Sequence, residues 1–534
     1  MTLGKAPRQG NLLDDLTRFC DAAVSQDSIY ALLHRERDQL FPDEFFADLF
    51  SDLGRRSVPP SVVATVMVLQ RLEGLSDREA VERFAFDVRW RYAAGLGGYD
   101  DGGPASFVHT VLVDMRERLR RSGRPDRVFE VTRDTAAAAG LVGRRRVLDS
   151  TPLYDAVATM DTITLIRSAL RGLLAVAGPL ETELRAACAS GDGYADAAKP
   201  HIDWDDAAAR AALVDSRARD AFACLALLDG RQLGPEVSRA AELLAAVVGQ
   251  DLEKGDDDSF RIARRVAPDR IISTVDPEAR HGHKTNARSF DGYKGHIAID
   301  PDAEVIIAMA VTAGNVGDAA VATELLSDCL SPAGATTATT SGPQSQPVEV
   351  YGDCAYGAGA VLSALHEVEA VAMVKVQAAV ALQGRFSKDA FVIDTAARTA
   401  TCPNQVTVPY TVGSKGEGVA HFGAACSACP LRSRCTTSAT GRDVSVGPHE
   451  AHLAAGRRRQ QDPVWRERYR ATRPKVERKL AHLMRRRHGG RRARVRGKLR
   501  VGQDFTWLGA AVNLARLAAL GVRSTGAGWA VAAV

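Results

Sequence analysis

No run of about eighteen apolar residues occurs in this chain, and its N-terminus lacks the pairing of a basic start with an apolar stretch. The sequence therefore predicts neither a membrane span nor a secretory signal, and a cytoplasmic location is the expectation. Cysteine is scarce, at nine in 534 residues, which in such a chain argues against a disulfide framework. Solenoid-type repeats are absent. Net charge is small at +4, yet that near-neutrality conceals a segregation. Residues 457–500 hold nineteen Lys or Arg against only Asp462, Glu467 and Glu477, a local charge of +16 that leaves −12 on the rest. A dense cationic stretch on a mildly acidic body is an electrostatic footprint for nucleic acid, with a solvated basic helix face as the plainer alternative.

What is present is an ordinary globular composition, 46% apolar and 25% charged, in a chain long enough for several domains. The first hundred or so residues read as helical. Val62, Val66, Leu69 and Leu72 recur at helical spacing from Ser61, a candidate N-cap, and Gly74 stops that helix. Ser76 and Glu79 form a capping box for a second helix reaching toward Trp90. Two helices joined by Gly74-Leu75 make a helix-turn-helix-sized unit, or a plain bundle used for packing. Residues 165–255, rich in Ala and Leu, predict a helical insertion. Strands follow at Tyr293–Asp300 and Glu304–Val311, joined by the hairpin-like Pro301-Asp302-Ala303. A helix is expected over Asp318–Leu330, a flexible Thr-, Ser-, Gly- and Pro-rich loop over Ser331–Pro347, a strand at Ala370–Val376 and a closing apolar helix at Gly509–Leu520.

Three acidic residues stand out. Asp149 ends the run Arg144–Leu148, Asp353 ends Val348–Gly352, and each reads as a carboxylate at the tip of a buried strand. Glu477 sits in the basic helical segment Tyr469–Lys479. Oxygen ligands of this kind suit a pair of Mg²⁺ ions, which can clamp the attacking and leaving oxygens of a phosphodiester. Taken singly, each Asp would equally well cap the next element. Between them lie Ser273-Thr274-Val275-Asp276-Pro277-Glu278, His283-Lys284-Thr285, Phe290-Asp291-Gly292-Tyr293-Lys294-Gly295-His296 and Gly314-Asn315-Val316-Gly317-Asp318. In content and order these resemble the linking motifs of the DDE transposases of bacterial insertion sequences, a resemblance covering nearly the whole chain. It departs in the Glu helix, where three residues, not two, separate Tyr469 from Arg473, and Met484 stands where a Lys is usual.

The resemblance implies an α/β protein with an RNase H-like mixed sheet carrying the helical insertion, an N-terminal helical domain that binds element ends, and a small zinc-binding insertion. Asp149, Asp353 and Glu477 carry over as the triad for two catalytic Mg²⁺. The implied activity is binding of terminal inverted repeats, cleavage at the element ends and joining to target DNA, by an enzyme that assembles on double-stranded DNA as a homodimer or higher oligomer. A catalytically inactive DNA-binding descendant and a metal-dependent nuclease without strand transfer are the alternatives. Arg473, Lys479, Arg485, Arg486, Arg487, Arg491 and Arg492 are the candidate DNA contacts. Guanidinium groups match phosphate, and no aromatic residues interleave the arginine run to stack on bases. His296 is a candidate for proton transfer or phosphate contact.

Cys402, Cys426, Cys429 and Cys435 include one C-x₂-C pair and can form a tetrahedral shell for one structural Zn²⁺, with free or redox thiols as the alternative. The expected organisation is residues 1–140 as the N-terminal helical domain, 141–377 as the first part of the core with its insertion, 378–456 as the cysteine-rich module, and 457–534 as the C-terminal part of the core.

Overall fold

The computed structural model describes residues 1–2, 15–97, 106–155, 159–285, 287–330 and 347–532. Except for Pro347, the loop expected over 331–347 lies outside the described residues.

In the N-terminal region, α1 (Pro60–Glu73) begins on a Pro in its first turn and ends where Gly74 turns left-handed at φ +70°. Ser61 does not cap it. Pro59 holds that position, and the buried Ser61 hydroxyl donates instead to Asp43, at 3.1 Å. The capping box is present at α2 (Asp77–Phe86), with Ser76 accepting from the Glu79 amide and Glu79 accepting from the Ser76 amide. This helix stops at Asp87, whose side chain caps a separate short helix Val88–Ala93. Almost every residue of α1 is buried, because neighbours surround it on all sides.

The central element is a mixed six-stranded sheet of β1 (Arg145–Tyr154), β2 (Arg280–Thr285), β3 (Arg288–Asp300), β4 (Val305–Ala313), β5 (Glu349–Gly352) and β6 (Val371–Val374). Its order is β2-β3-β1-β5-β6, and β4 also pairs with β3. The β1, β2, β3 and β4 pairings are antiparallel, whereas β1–β5 and β5–β6 are parallel. Asp300, fully buried, closes the β3–β4 turn by accepting from the amides of Asp302 and Ala303 while also accepting from Gly143. The strands are apolar on consecutive residues because both faces are covered. Val147, Ile297, Ile299 and Tyr351 join one core, and Leu148, Ala298 and Val350 join another.

The insertion between β1 and β2 contains α3 (Thr162–Val176), α4 (Ala207–Leu228) and α5 (Pro235–Asp251), which bury Leu170, Leu173, Cys224, Leu244 and Val247 in a core of their own. After β6, short antiparallel strands of residues 392–446 enclose a small core of Phe391, Ala400, Tyr410, Phe422 and Val444. A helix at Glu450–Arg459 is followed by α6 (Pro463–Thr472), α7 (Pro474–Leu483) and α8 (Lys498–Ala519), and a two-stranded hairpin of Val522–Thr525 and Gly528–Val531 comes after α8. Val476, Leu480 and Leu483 of α7, Leu508 and Leu514 of α8, and Val62 and Leu69 of α1 all enter the core on the Val147 face. The N-terminal helices thus share one hydrophobic interior with the sheet. No single helix among the described residues is long and apolar enough to cross a membrane.

Candidate active site

Asp149 is in the middle of β1, not at its tip, because β1 pairs with β3 as far as Tyr154 opposite Gly292. What ends near Asp149 is the other neighbour. Strand β5 pairs with β1 only through Arg145–Val147, and the parallel register that sets Val147 against Tyr351 brings Asp353 level with Asp149 two residues further on. Strand alternation gives Asp149 the same face as Val147, and α7 packs on that face. The sheet therefore makes a notch where two carboxylates on neighbouring strands meet a helix.

Arg473 occupies that notch. Its Nη2 lies 3.0 Å from Asp149 and 3.7 Å from Asp353, and its Nη1 lies 3.4 Å from Glu477 one turn along α7. Its side chain is 7% exposed, against 64% for Glu477. Burial raises the Asp149 carboxyl above its ordinary range, and Arg473 and the Ser150 amide oppose the rise without cancelling it. For Arg473 itself burial acts downward, but the Asp149 carboxylate and its neighbours outweigh it and the guanidinium is held more firmly charged. The three acids named from sequence are thus brought together, joined by Arg473, which the sequence offers as a DNA contact.

The remaining scaffold is aromatic and basic. Tyr469 donates to the Gly352 carbonyl at 3.2 Å, tying α6 to the residue just before Asp353, and it stacks on Trp465. Lys375 stands 4.8 Å over the Tyr469 ring. These residues line a cleft of about 500 Å³ that opens beside Asp353, Arg473 and Glu477. The sequence alone does not single out Trp465 or Lys375, since the helical spacing around Tyr469 does not indicate which strand it meets.

The linking motifs prove to be fasteners. Asp276, almost fully buried, accepts from the Tyr293 hydroxyl at 2.7 Å and the Gly497 amide at 3.2 Å, and Glu278 accepts from the Lys498 amide at 2.9 Å. Together they fix the start of α8. Asp318 accepts from Ser150 and Lys294, at 2.5 and 2.8 Å, securing the loop after β4 against β1 and β3. His296 is fully buried between Tyr356 and Thr312, and burial lowers its pKa to about 4. It is therefore a neutral packing residue here and reaches no phosphate.

Among the basic candidates, Lys479 is buried at 2% exposure, while Arg485, Arg486, Arg487, Arg491 and Arg492 are all exposed. Their backbone is anchored at both ends. The Tyr154 amide donates to the Arg491 carbonyl and the Ala493 amide to the Tyr154 carbonyl, attaching the segment to the end of β1. At the α1–α2 turn, His488 meets the Leu72 carbonyl and Arg71 donates to the His488 carbonyl. A Cβ on Gly74 would lie 2.4 Å from the Arg487 carbonyl oxygen, so only glycine permits that approach.

The four cysteines are neighbours in the small module. Cys435 is buried beside Cys402 and Cys426, and its thiol is pushed up by burial and by the nearby sulfurs. Among the described residues, however, no three or more His, Cys, Asp or Glu side chains are arranged to hold a metal ion, in this module or in the notch. The zinc shell expected from the cysteine spacing is therefore not supported by this geometry. In the notch the donors are hard oxygens of the kind Mg²⁺ takes, but they are disposed around a guanidinium.

Comparison with known families bears on both ends of the chain. Residues 18–118 match the transposase domain DUF772, and residues 401–518 match the transposase DDE domain. These matches show the resemblance to insertion-sequence DDE transposases and support a transposase function. The second spans the cysteines, Arg473, Glu477 and the arginine segment, and neither spans Asp149 or Asp353. No curated protein and no solved structure matches the chain.

Proposed function

We propose that this chain is a DNA transposase with an RNase H-like catalytic core, in which Asp149, Asp353 and Glu477 bind two Mg²⁺ ions for cleavage at the element ends and joining to target DNA. The carrying observation is the register that sets Asp149 level with Asp353 on parallel neighbours, with Glu477 linked to both through one guanidinium. When bound, the metal supplies activation of the attacking oxygen and stabilisation of the leaving oxygen. The chain's own part is positional. Tyr469 anchors the strand end that carries Asp353, and the backbone on both sides of Asp149 is locked into β3. Lys375 and the arginines attract the phosphate backbone, and the cleft beside Glu477 admits it.

The DNA path suggested by this arrangement runs from the α1–α2 turn over Arg485–Arg492 to the end of β1, since the segment is tied to the turn through the His488 and Arg71 side chains and to β1 by backbone hydrogen bonds, and carries exposed charge. We include one zinc held by Cys402, Cys426, Cys429 and Cys435 in this proposal on donor chemistry and proximity alone, and no chemical step depends on it. The test is Mg²⁺-dependent cleavage and joining on DNA carrying the element's own ends. Asp149→Ala, Asp353→Ala and Glu477→Ala are each expected to abolish both reactions while leaving end binding largely intact. Normal turnover by Glu477→Ala would remove that residue from the triad, and cleavage of wild-type substrate without joining of a supplied pre-cut end would reduce the enzyme to a nuclease.

A further inference from the structure

The notch that ought to receive metal already contains a cation. Arg473 is the last residue before Pro474 opens α7, and the change of helix delivers its side chain inward beneath the acids. One guanidinium faces Asp149, Asp353 and Glu477 at once, nearly out of contact with solvent, and its Nε is buried without a hydrogen-bond partner. Two carboxylates sharing one octahedral Mg²⁺ have oxygens about 3 Å apart, each about 2 Å from the ion. Here the Asp149 and Asp353 oxygens are instead spaced around a nitrogen, at 3.0 and 3.7 Å. A metal ion entering between Asp149 and Asp353 would compete with the guanidinium for the carboxylate oxygens that face it, and the two positive charges would repel each other at that distance.

Resting on the transposase reading, we infer that Arg473 is an internal counter-cation that occupies the acidic notch in the metal-free protein, and that metal entry displaces it toward the cleft where a DNA phosphate receives it. The exchange is one of partners: the carboxylates trade a guanidinium for a metal, and the guanidinium trades carboxylate for phosphate. Arginine suits it because its planar fork pairs with either anion and stays charged throughout. The α6–α7 junction provides a short pivot, and the cleft lies beside Arg473 on the side of Tyr469 and Glu477. Two consequences follow. In the absence of DNA, Arg473 weakens metal binding. A DNA backbone in the cleft tightens it, because the displaced charge then has a partner, and by reciprocity metal tightens DNA.

The test is Mn²⁺ binding to the full chain, measured as loss of the free-ion EPR signal, with and without a short duplex lacking element ends. Arg473→Gln is expected to bind Mn²⁺ roughly tenfold more tightly than wild type without DNA, a coupling of ordinary size. Duplex is expected to tighten wild type several-fold and leave Arg473→Gln nearly unchanged. Arg473→Lys keeps the charge but cannot bridge three carboxylates, so it falls between the two and serves if the Gln protein does not fold. Unchanged or weaker Mn²⁺ binding in folded Arg473→Gln or Arg473→Lys, or equal enhancement by DNA in wild type and variant, overturns the inference. Asp149→Asn and Asp353→Asn separate this from the underlying reading. If wild-type Mn²⁺ binding is lost in both, the metal site stands whatever Arg473 does, and if it is lost in neither, the proposed metal site fails and the inference with it.

Discussion

Changing Arg485, Arg486 and Arg487 together to Gln tests the electrostatic reading where the structure makes it sharpest. All three side chains are exposed, and their segment is held to the α1–α2 turn through the Arg71 and His488 side chains, not by these three guanidiniums. The substitution therefore leaves the fold intact, and stability should stay within about 0.5 kcal/mol of wild type. Each arginine that neutralises a phosphate contributes about 0.9 to the slope of log K against log salt on duplex DNA, so three lost contacts flatten it by about 2.7. Between 50 and 200 mM salt, wild type should then lose about fortyfold more affinity than the variant. The assay is fluorescence anisotropy across a salt series, with end-bearing and random duplexes side by side. Phosphate contact predicts that both weaken together and that their ratio is preserved. An unchanged slope in folded protein would refute the reasoning and leave this segment as solvated surface, whereas a changed ratio would make it a base reader.

Gly74→Ala is expected to destabilise the protein by at least about 2 kcal/mol in denaturant melts, because φ is +70° and the new methyl meets the Arg487 carbonyl. It should also weaken DNA binding by loosening the arginine segment, and wild-type stability in the variant would show that this approach is not close. Burial lowers the Lys479 pKa from 10.5 to about 8, with Glu304 opposing and Arg516, Arg478 and Arg485 assisting. Between those two values the unfolded chain binds more protons than the folded one, so stability should rise with pH from about 8 to 10.5, by up to about 3 kcal/mol. Lys479→Met should be more stable than wild type at pH 7 and lose that rise. Elemental analysis of protein purified without added metal checks the proposed zinc, and about one ion per chain would require the four cysteines to close up from the arrangement seen here. Absence of zinc from folded, active material would leave the four cysteines as packing.

Local chemistry was legible in the sequence wherever a few adjacent residues settle it. The Ser76–Glu79 box, the stop at Gly74, the β3–β4 hairpin and the helical insertion all depend on short-range spacing, and the structure shows each. So did the presence of three acids worth explaining, because carboxylates beside apolar runs and inside a basic helix are conspicuous. Boundaries fared less well. Ser61 looks like a cap, yet Pro59-Pro60 already starts the helix, and Asp149 looks like a strand tip, yet β1 runs on to Tyr154, since a strand's length depends on its partners.

Tertiary structure alone decided what the acids face. The spacing of Arg473 and Lys479 along a basic helix makes them look alike, yet rotation about the α7 axis turns one on to Asp149 and buries the other near Glu304. No local pattern announces that Asp276 and Glu278 anchor α8 more than two hundred residues later, or that the arginine segment rests on the α1–α2 turn. The residue types and their local conformations were determined by the sequence directly. The meeting of Asp149, Asp353 and Glu477 around one guanidinium came from strand register and from burial of a common apolar face, which are properties of the packed chain.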